Sequence, residues 1–183
     1  MNVNEFWHDV LSQNGKEAQT MLIVSKCLAG ALCRYDGKDN LVPEIKELAE
    51  RGEAVAVCPE VLGGLPTPRT PSELQPDGRV LSKQGEDVTE QFVGGAERAL
   101  AICREHGCTG AILKARSPSC GKGVIYDGSF TGKRVPGSGV FAQMLLDAGV
   151  SVMTEEEYLQ REMGYTKLTN LGGIRAWRGE IEK

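Results

Sequence analysis

The chain has 183 residues, 40% hydrophobic and 25% charged, with a formal net charge of -4, the composition expected of one compact globular domain. That acidic balance excludes a protein that wraps a long nucleic-acid backbone, while leaving room for a local basic patch that holds one phosphate. No run approaches the ~20 apolar residues that span a bilayer, and the first twenty residues lack a basic start followed by an apolar core, so a cytoplasmic location without membrane partners is expected.

In chain order, MLIVSK (21–26) is an apolar run too short for a helix and followed by a glycine-containing loop, which predicts a buried strand. VPEIKELAERG (42–52) has a proline suited to a first helical turn, apolar Ile45, Leu48 and Ala49 at helical spacing, and Gly52 as a stop. AVAVCPE (54–60) predicts a second buried strand. Residues 61–86 hold four of the eight prolines and four glycines, which predicts a long excursion rather than regular structure, the kind of segment that forms lids and binding loops. From Asp87, a cap-like residue with Glu90 three positions on, the pattern is helical to Gly107, with Val88, Phe92, Ala96, Ala99 and Cys103 on one face.

CTGAILKA (108–115) predicts a third buried strand, and the glycine-rich segment after it a hairpin around Asp127 and Gly128. Ser138 is placed to cap a helix over 139–149, and VSVMT (150–154) follows as a fourth strand. Strand and helix alternate throughout. The expected fold is therefore a single α/β domain, Rossmann-like, with a mostly parallel central sheet flanked by helices and a small hairpin insertion. Residues 1–20 form an N-terminal extension, 21–160 the α/β domain and 161–183 a C-terminal appendage.

Six cysteines in a reducing compartment do not make a disulfide framework, so each thiol needs its own explanation. Cys27 follows the first strand, Cys58 ends the second, and Cys120 follows the third by one tight turn. Ligands of an open parallel sheet bind outside the carboxyl ends of its strands, and neighbouring strands lie only about 4.8 Å apart. The three thiols can thus converge on a small metal centre. Sulfur donors without a nearby histidine suit iron-sulfur or zinc. A closed zinc site usually needs four ligands, often as paired CxxC elements, and none occurs here. Three scattered ligands leave one position open, as a catalytic centre requires. Cysteine is also a common core residue, and packing accounts for Cys103 and Cys108. Cys33, six residues after Cys27, is either a fourth ligand or a redox thiol.

At these positions the sequence carries SKCLAGALCRYDG (25–37), CPEVLGGLPTPR (58–69) and RSPSCGKG (116–123). Together these resemble the three signature blocks of a formerly uncharacterised domain family whose named member is a 2-thiouracil desulfidase, an iron-sulfur enzyme. The likeness spans about residues 21–155. It implies an α/β fold with a [4Fe-4S] cluster held by Cys27, Cys58 and Cys120, one iron left free for the substrate's sulfur, and catalytic roles for Glu60 and Ser117. The implied activity is desulfuration of a thiolated pyrimidine (2-thiouracil, 4-thiouracil or a thiouridine nucleotide) with release of sulfide. A tRNA partner, which some related proteins serve through a further domain, is not expected. The alternative is a metal- or cluster-binding redox or sulfide-carrier protein in which Cys33 fills the open position.

Chemistry supports these roles while offering plainer ones. Of two histidines, His8 lies in the N-terminal extension and His106 at a helix end, so a carboxylate, Glu60, is the candidate base for activating water. Glu60 could instead serve as an ion-pair partner of Arg69. Ser117 could donate to a ring oxygen or simply support the turn before Pro118. Arg69 and Ser119 are the candidate substrate contacts, with Lys114, Arg116, Lys122 and Arg34 adding positive charge at the same edge. Asp36 is expected to shape a turn with Gly37, and the amides around Gly121 to hydrogen-bond cluster sulfides.

Overall fold

The structure, a computed structural model, describes residues 20–170. Four strands, β1 (Leu22–Ser25), β2 (Ala54–Val57), β5 (Gly110–Leu113) and β8 (Ser151–Thr154), form one sheet in the order β2-β1-β5-β8. All three pairings are parallel, with Leu22 opposite both Ala54 and Gly110, and Gly110 opposite Ser151. Parallel strands need crossovers, and these are supplied by the helices α1 (Pro43–Glu50), α3 (Thr89–Glu105) and α4 (Val140–Asp147). A short helix α2 (Pro59–Leu62) follows β2 directly, and α5 (Glu155–Asn170) follows β8.

The continuous apolar runs of β1 and β5 reflect burial on both faces: every residue of each is buried. Ile23, Ala111, Leu113 and Val152 face α3 and α4 through Ala96, Ala99, Phe141 and Leu145. Leu22, Val24, Ile112 and Met153 face the other layer, through Ile45 of α1 and Tyr158 of α5. Each large side chain removed from water in this way contributes about 1.5–3 kcal/mol. A third, smaller cluster of Val80, Val88 and Phe92 joins the 61–86 segment to α3.

That segment is more regular than its proline and glycine content predicts. It begins within α2 and contains a hairpin of β3 (Ser72–Leu74) and β4 (Val80–Ser82), whose three-residue strands are too short to produce a period-2 signal. The hairpin expected around Asp127 is formed by β6 (Val124–Tyr126) and β7 (Arg134–Pro136). Two caps differ from expectation. Asp87 accepts the Thr89 N–H at 3.0 Å, but the helix starts only at Thr89 and Val88 is the capping position. Ser138 caps nothing: Gly139 is the capping residue of α4, and the orphan N–H groups of Val140, Phe141 and Ala142 donate to the carbonyls of Pro118 and Ser119. A loop distant in sequence does the work of a capping side chain.

The helix α5 crosses residue 160, so the boundary expected there falls inside an element. Its start carries a signal overlooked above, the capping box Thr154-Glu-Glu-Glu157. Thr154 Oγ1 accepts the Glu157 N–H at 3.2 Å, and Glu157 Oε2 accepts the Thr154 N–H at 2.8 Å. His8 and most of the expected 1–20 extension lie outside the described residues, as does the end of the 161–183 segment. No helix among the described residues is long and apolar enough to cross a membrane.

Candidate functional site

From β1 the chain moves outward to β2, then returns past β1 to β5 and β8. The reversal opens a crevice above the carboxyl ends of β1 and β5, where loops leave in opposite directions. A cavity of about 480 Å³ lies there, lined by all three loops that follow β1, β2 and β5. That volume suits a small molecule of nucleobase or nucleotide size. Cys27, Cys33, Cys58 and Cys120 all line it.

The ladder explains the convergence. The Lys26 N–H donates to Val57 O at 2.7 Å, which makes Cys27 and Cys58 the first residues past the last bond between two adjacent strands. Ser25 closes the other side, its hydroxyl accepting the Lys114 N–H at 3.0 Å and facing the Cys120 thiol. Asn40, held by Arg34 at 2.6 Å, donates to Cys27 Sγ at 3.6 Å. Burial would push the Cys58 thiol up, but a hydrogen bond from Cys33, the Val61 N–H of α2 and nearby Arg69 bring it down to about 7. The Cys33 proton, shared between Cys27 and Cys58, is held far more tightly than in an ordinary thiol. Cys120 is raised chiefly by burial.

This donor set fits an iron-sulfur cluster better than a single ion. Among the described residues no three His, Cys, Asp or Glu side chains already stand where one metal ion could join them. Zinc would need its sulfur donors at about 2.3 Å. A cluster takes one thiolate at each of several iron corners, so its ligands stand further apart and are all sulfur. Cys27, Cys58 and Cys120, each from a different loop, are the residues that would hold it, with Cys33 beside them.

The loop after β5 is an internally bonded turn. Ser117 Oγ accepts the N–H groups of Ser119 and Cys120, both at 3.1 Å, and Ser117 O accepts the Gly121 N–H at 2.8 Å. The amides of Ser119, Cys120 and Gly121 are therefore occupied within the turn. With both lone pairs engaged, the Ser117 hydroxyl keeps only its proton for a ligand, so in the cleft it is a donor. Ser119 does not line the cavity: it is 0% exposed and its hydroxyl has no partner. The turn packs directly on Gly139, where a Cβ would stand 2.6 Å from the Ser119 carbonyl carbon.

Three consecutive glutamates of α5 hold this loop from outside. Glu155 pairs with Lys114 and accepts the Ala115 N–H at 2.6 Å, Glu156 accepts from Arg116 at 3.0 Å, and Glu157 from Lys122 at 2.8 Å. The cations expected to enrich the edge in positive charge are thus neutralised one by one. Arg34 likewise pairs with Asp36, which also accepts the Lys38 N–H in the turn before β2's helix, α1.

Glu60 and Arg69 meet. Arg69 Nε donates to Glu60 Oε2 at 2.7 Å, with side chains 7% and 16% exposed. Arg69 also donates to the carbonyls of Cys33 and Pro66, at 3.0 and 3.2 Å, and so ties the loops together. It holds Glu60 while itself lining the cavity. The short helix that carries Glu60 is clamped onto α3, where a Cβ on Gly95 would lie 1.9 Å from Pro59 O. Asn40 and Glu73 are cleft residues that escaped sequence reasoning. Glu73, in the middle of β3, lines the cavity; its inward position depends on a hairpin whose strands were too short to recognise.

The chain is similar to known proteins over most of its length. A chain titled [4Fe-4S]-dependent thiouracil desulfidase TudS superposes with a TM-score of 0.73 at 41% identity, covering 80% of this chain and 98% of its own. A Bacillus subtilis (strain 168) relative, uncharacterized protein YbbK, is 43% identical over 146 residues, which is 75% of this chain and 97% of that protein. The profile of the 2-thiouracil desulfurase family matches residues 22–157, from the first strand to the first turn of α5. The chain belongs to the 2-thiouracil desulfurase family.

Proposed function

We propose that this protein is a [4Fe-4S]-dependent desulfidase that removes sulfur from a thiolated pyrimidine, with the cluster held by Cys27, Cys58 and Cys120. The observation that carries the reading is the meeting of these thiols, Glu60 and the Ser117 hydroxyl around one cavity at the switch point of the sheet. Family membership and the TudS likeness support it. A cluster bound by three thiolates supplies an open iron, a soft Lewis acid for a thiocarbonyl sulfur.

In the reaction a water oxygen replaces sulfur on the ring carbon and sulfur leaves as hydrosulfide, with no net electron transfer. Glu60, fixed through one oxygen by Arg69, accepts the proton of the attacking water with the other. Ser117 donates a hydrogen bond to the ring's carbonyl oxygen, which holds the ring against the turn. The cavity admits a base or a mononucleotide, and its cations are largely paired with carboxylates, so tRNA is not the substrate we infer. A reducing, cytoplasmic compartment keeps such thiols available, and this is the location we infer.

The reading is tested by anaerobic reconstitution with iron and sulfide, followed by assay of sulfide release from 2-thiouracil, 4-thiouracil and thiouridine monophosphate. Brown protein that releases sulfide and forms the oxo-pyrimidine is the expected result. Brown protein inert toward all three supports a redox or sulfide-carrier protein, and in that case Cys33→Ala should lose the cluster.

A further inference from the structure

Glu73 is the carboxylate of the cleft that forms no ion pair among the described residues, where Lys26 is likewise a cleft cation without one. It is 9% exposed, occupies the one buried position of β3 and lines the cavity. The other cleft carboxylate, Glu60, pairs with Arg69, and the cleft cations Lys114, Arg116 and Arg34 pair with Glu155, Glu156 and Asp36. Among the described residues, Glu73's side chain takes a single hydrogen bond, the Phe130 N–H on Oε2 at 3.0 Å. A carboxylate has about four acceptor sites, and Glu73 Oε1, which takes no bond from the described residues and is not sealed off by protein, is open to a donor in the cavity.

The donor is expected from the cavity side. The Phe130 bond fixes the carboxylate plane, and Phe130 itself is held in a left-handed conformation, φ 56°, on the loop between β6 and β7. A second tie, Gln75 Nε2 to Gly128 O at 3.1 Å, locks the β3–β4 hairpin to that same loop. Glu73 Oε1 is thereby a held acceptor with no donor among the described residues. The Ser117 hydroxyl, on the β5 loop of the same cavity, is a donor with no free lone pair.

A thiolated pyrimidine has the matching pattern. Its C2, N3, C4 edge reads acceptor, donor, acceptor, and N3–H adjoins the thiocarbonyl carbon whether sulfur is on C2 or C4. N1 carries the sugar in a nucleoside, so N3–H is the ring donor common to base, nucleoside and nucleotide. We propose that Glu73 Oε1 accepts the N3–H hydrogen bond of the substrate ring and so sets which edge faces the thiols. The inference rests on the desulfidase reading above. A charge-assisted bond of this kind is among the stronger ones, and a site built for an N–H rejects an analogue that lacks it.

The test compares 1-methyl-2-thiouracil with 3-methyl-2-thiouracil on cluster-loaded protein, scored as kcat/KM for sulfide release. The wild type is expected to favour the 1-methyl compound about 100-fold. Glu73→Leu, similar in size but without an acceptor, should bring the two within about threefold, and Glu73→Gln should fall between. Calorimetry of uracil and 3-methyluracil, which need no turnover, should show the same narrowing. Visible absorption reports whether each variant holds the cluster, and the wild-type and Glu73→Gln arms decide the matter if Glu73→Leu does not fold. Equal use of both methyl isomers by the wild type, or an undiminished preference in both variants, would overturn the assignment and leave Glu73 as an anchor for the Phe130 loop. Failure of loaded wild type to release sulfide from any thiopyrimidine would instead sink the desulfidase reading, and the uracil calorimetry would still decide the role of Glu73.

Discussion

The two edges of the sheet treat the same residue type differently. At the carboxyl edge Cys27, Cys33, Cys58 and Cys120 open onto a shared cavity, with sulfur-directed hydrogen bonds from Asn40 and between thiols. At the amino edge Cys103 and Cys108 sit where α3 runs into β5, both buried, and Cys103 Sγ donates to Cys108 O at 3.7 Å. Cys103 and Cys108 are also hydrogen-bonded to each other, and neither lines that cavity. What differs is the direction of the chain. Loops leaving a parallel strand splay apart at a switch point and leave space, whereas the turn entering β5 is packed beneath the helix that precedes it.

The comparison is most sharply broken by substitution at both edges. Cys58→Ser or Cys120→Ser is expected to abolish the brown colour and all sulfide release. Cys103→Ala, removing a comparably buried thiol, should keep both within about twofold and cost about 1 kcal/mol in urea unfolding. Loss of the cluster from the Cys103 variant would mean that the amino edge also serves it. The next largest effect separates chemistry from assembly at the carboxyl edge: Glu60→Gln should retain the cluster's absorption and lower kcat about 10²–10⁴-fold. A near-normal rate in that variant would remove Glu60 as the base and leave it as Arg69's partner. Smallest is the outer clamp. Glu155→Gln strips the charge opposite Lys114 and should lower the unfolding free energy by about 2 kcal/mol, while kcat/KM falls less than tenfold. A larger loss of rate than of stability would assign Lys114 a direct part in the reaction.

Much of the scaffold was legible in the chain. Short apolar runs at 21–26, 54–60, 108–115 and 150–154 each contain a core strand, because two-sided burial demands unbroken hydrophobicity and the helices between them show the 3.6-residue period. The face of Phe92, Ala96, Ala99 and Cys103 is the buried face of α3. Positions of the thiols after three strands were equally visible, since a strand end is a local event. Arg69 and Ser119 were harder. Whether an arginine is free or spent depends on which carboxylate folds against it, and Ser119 lies one residue from a cleft thiol yet turns wholly into protein.

The order of strands, and hence the crevice, belongs to the tertiary structure. Nothing local states that β5 pairs with β1 instead of β2, and only that choice sets Cys120 beside Cys27. The capping of α4 by Pro118 and Ser119 carbonyls, the glutamate clamp on the β5 loop and the entry of Glu73 into the cavity have the same origin. By itself the amino-acid sequence determined which segments are strands and helices, and where sulfur could gather, because periodicity and burial act over a few residues. How the β5-loop cations are cancelled and which carboxylate remains open to a ligand was decided by folding, because electrostatic partners are chosen by distance in space and the pairs Lys114–Glu155, Arg116–Glu156 and Lys122–Glu157 lie 35 to 41 residues apart along the chain.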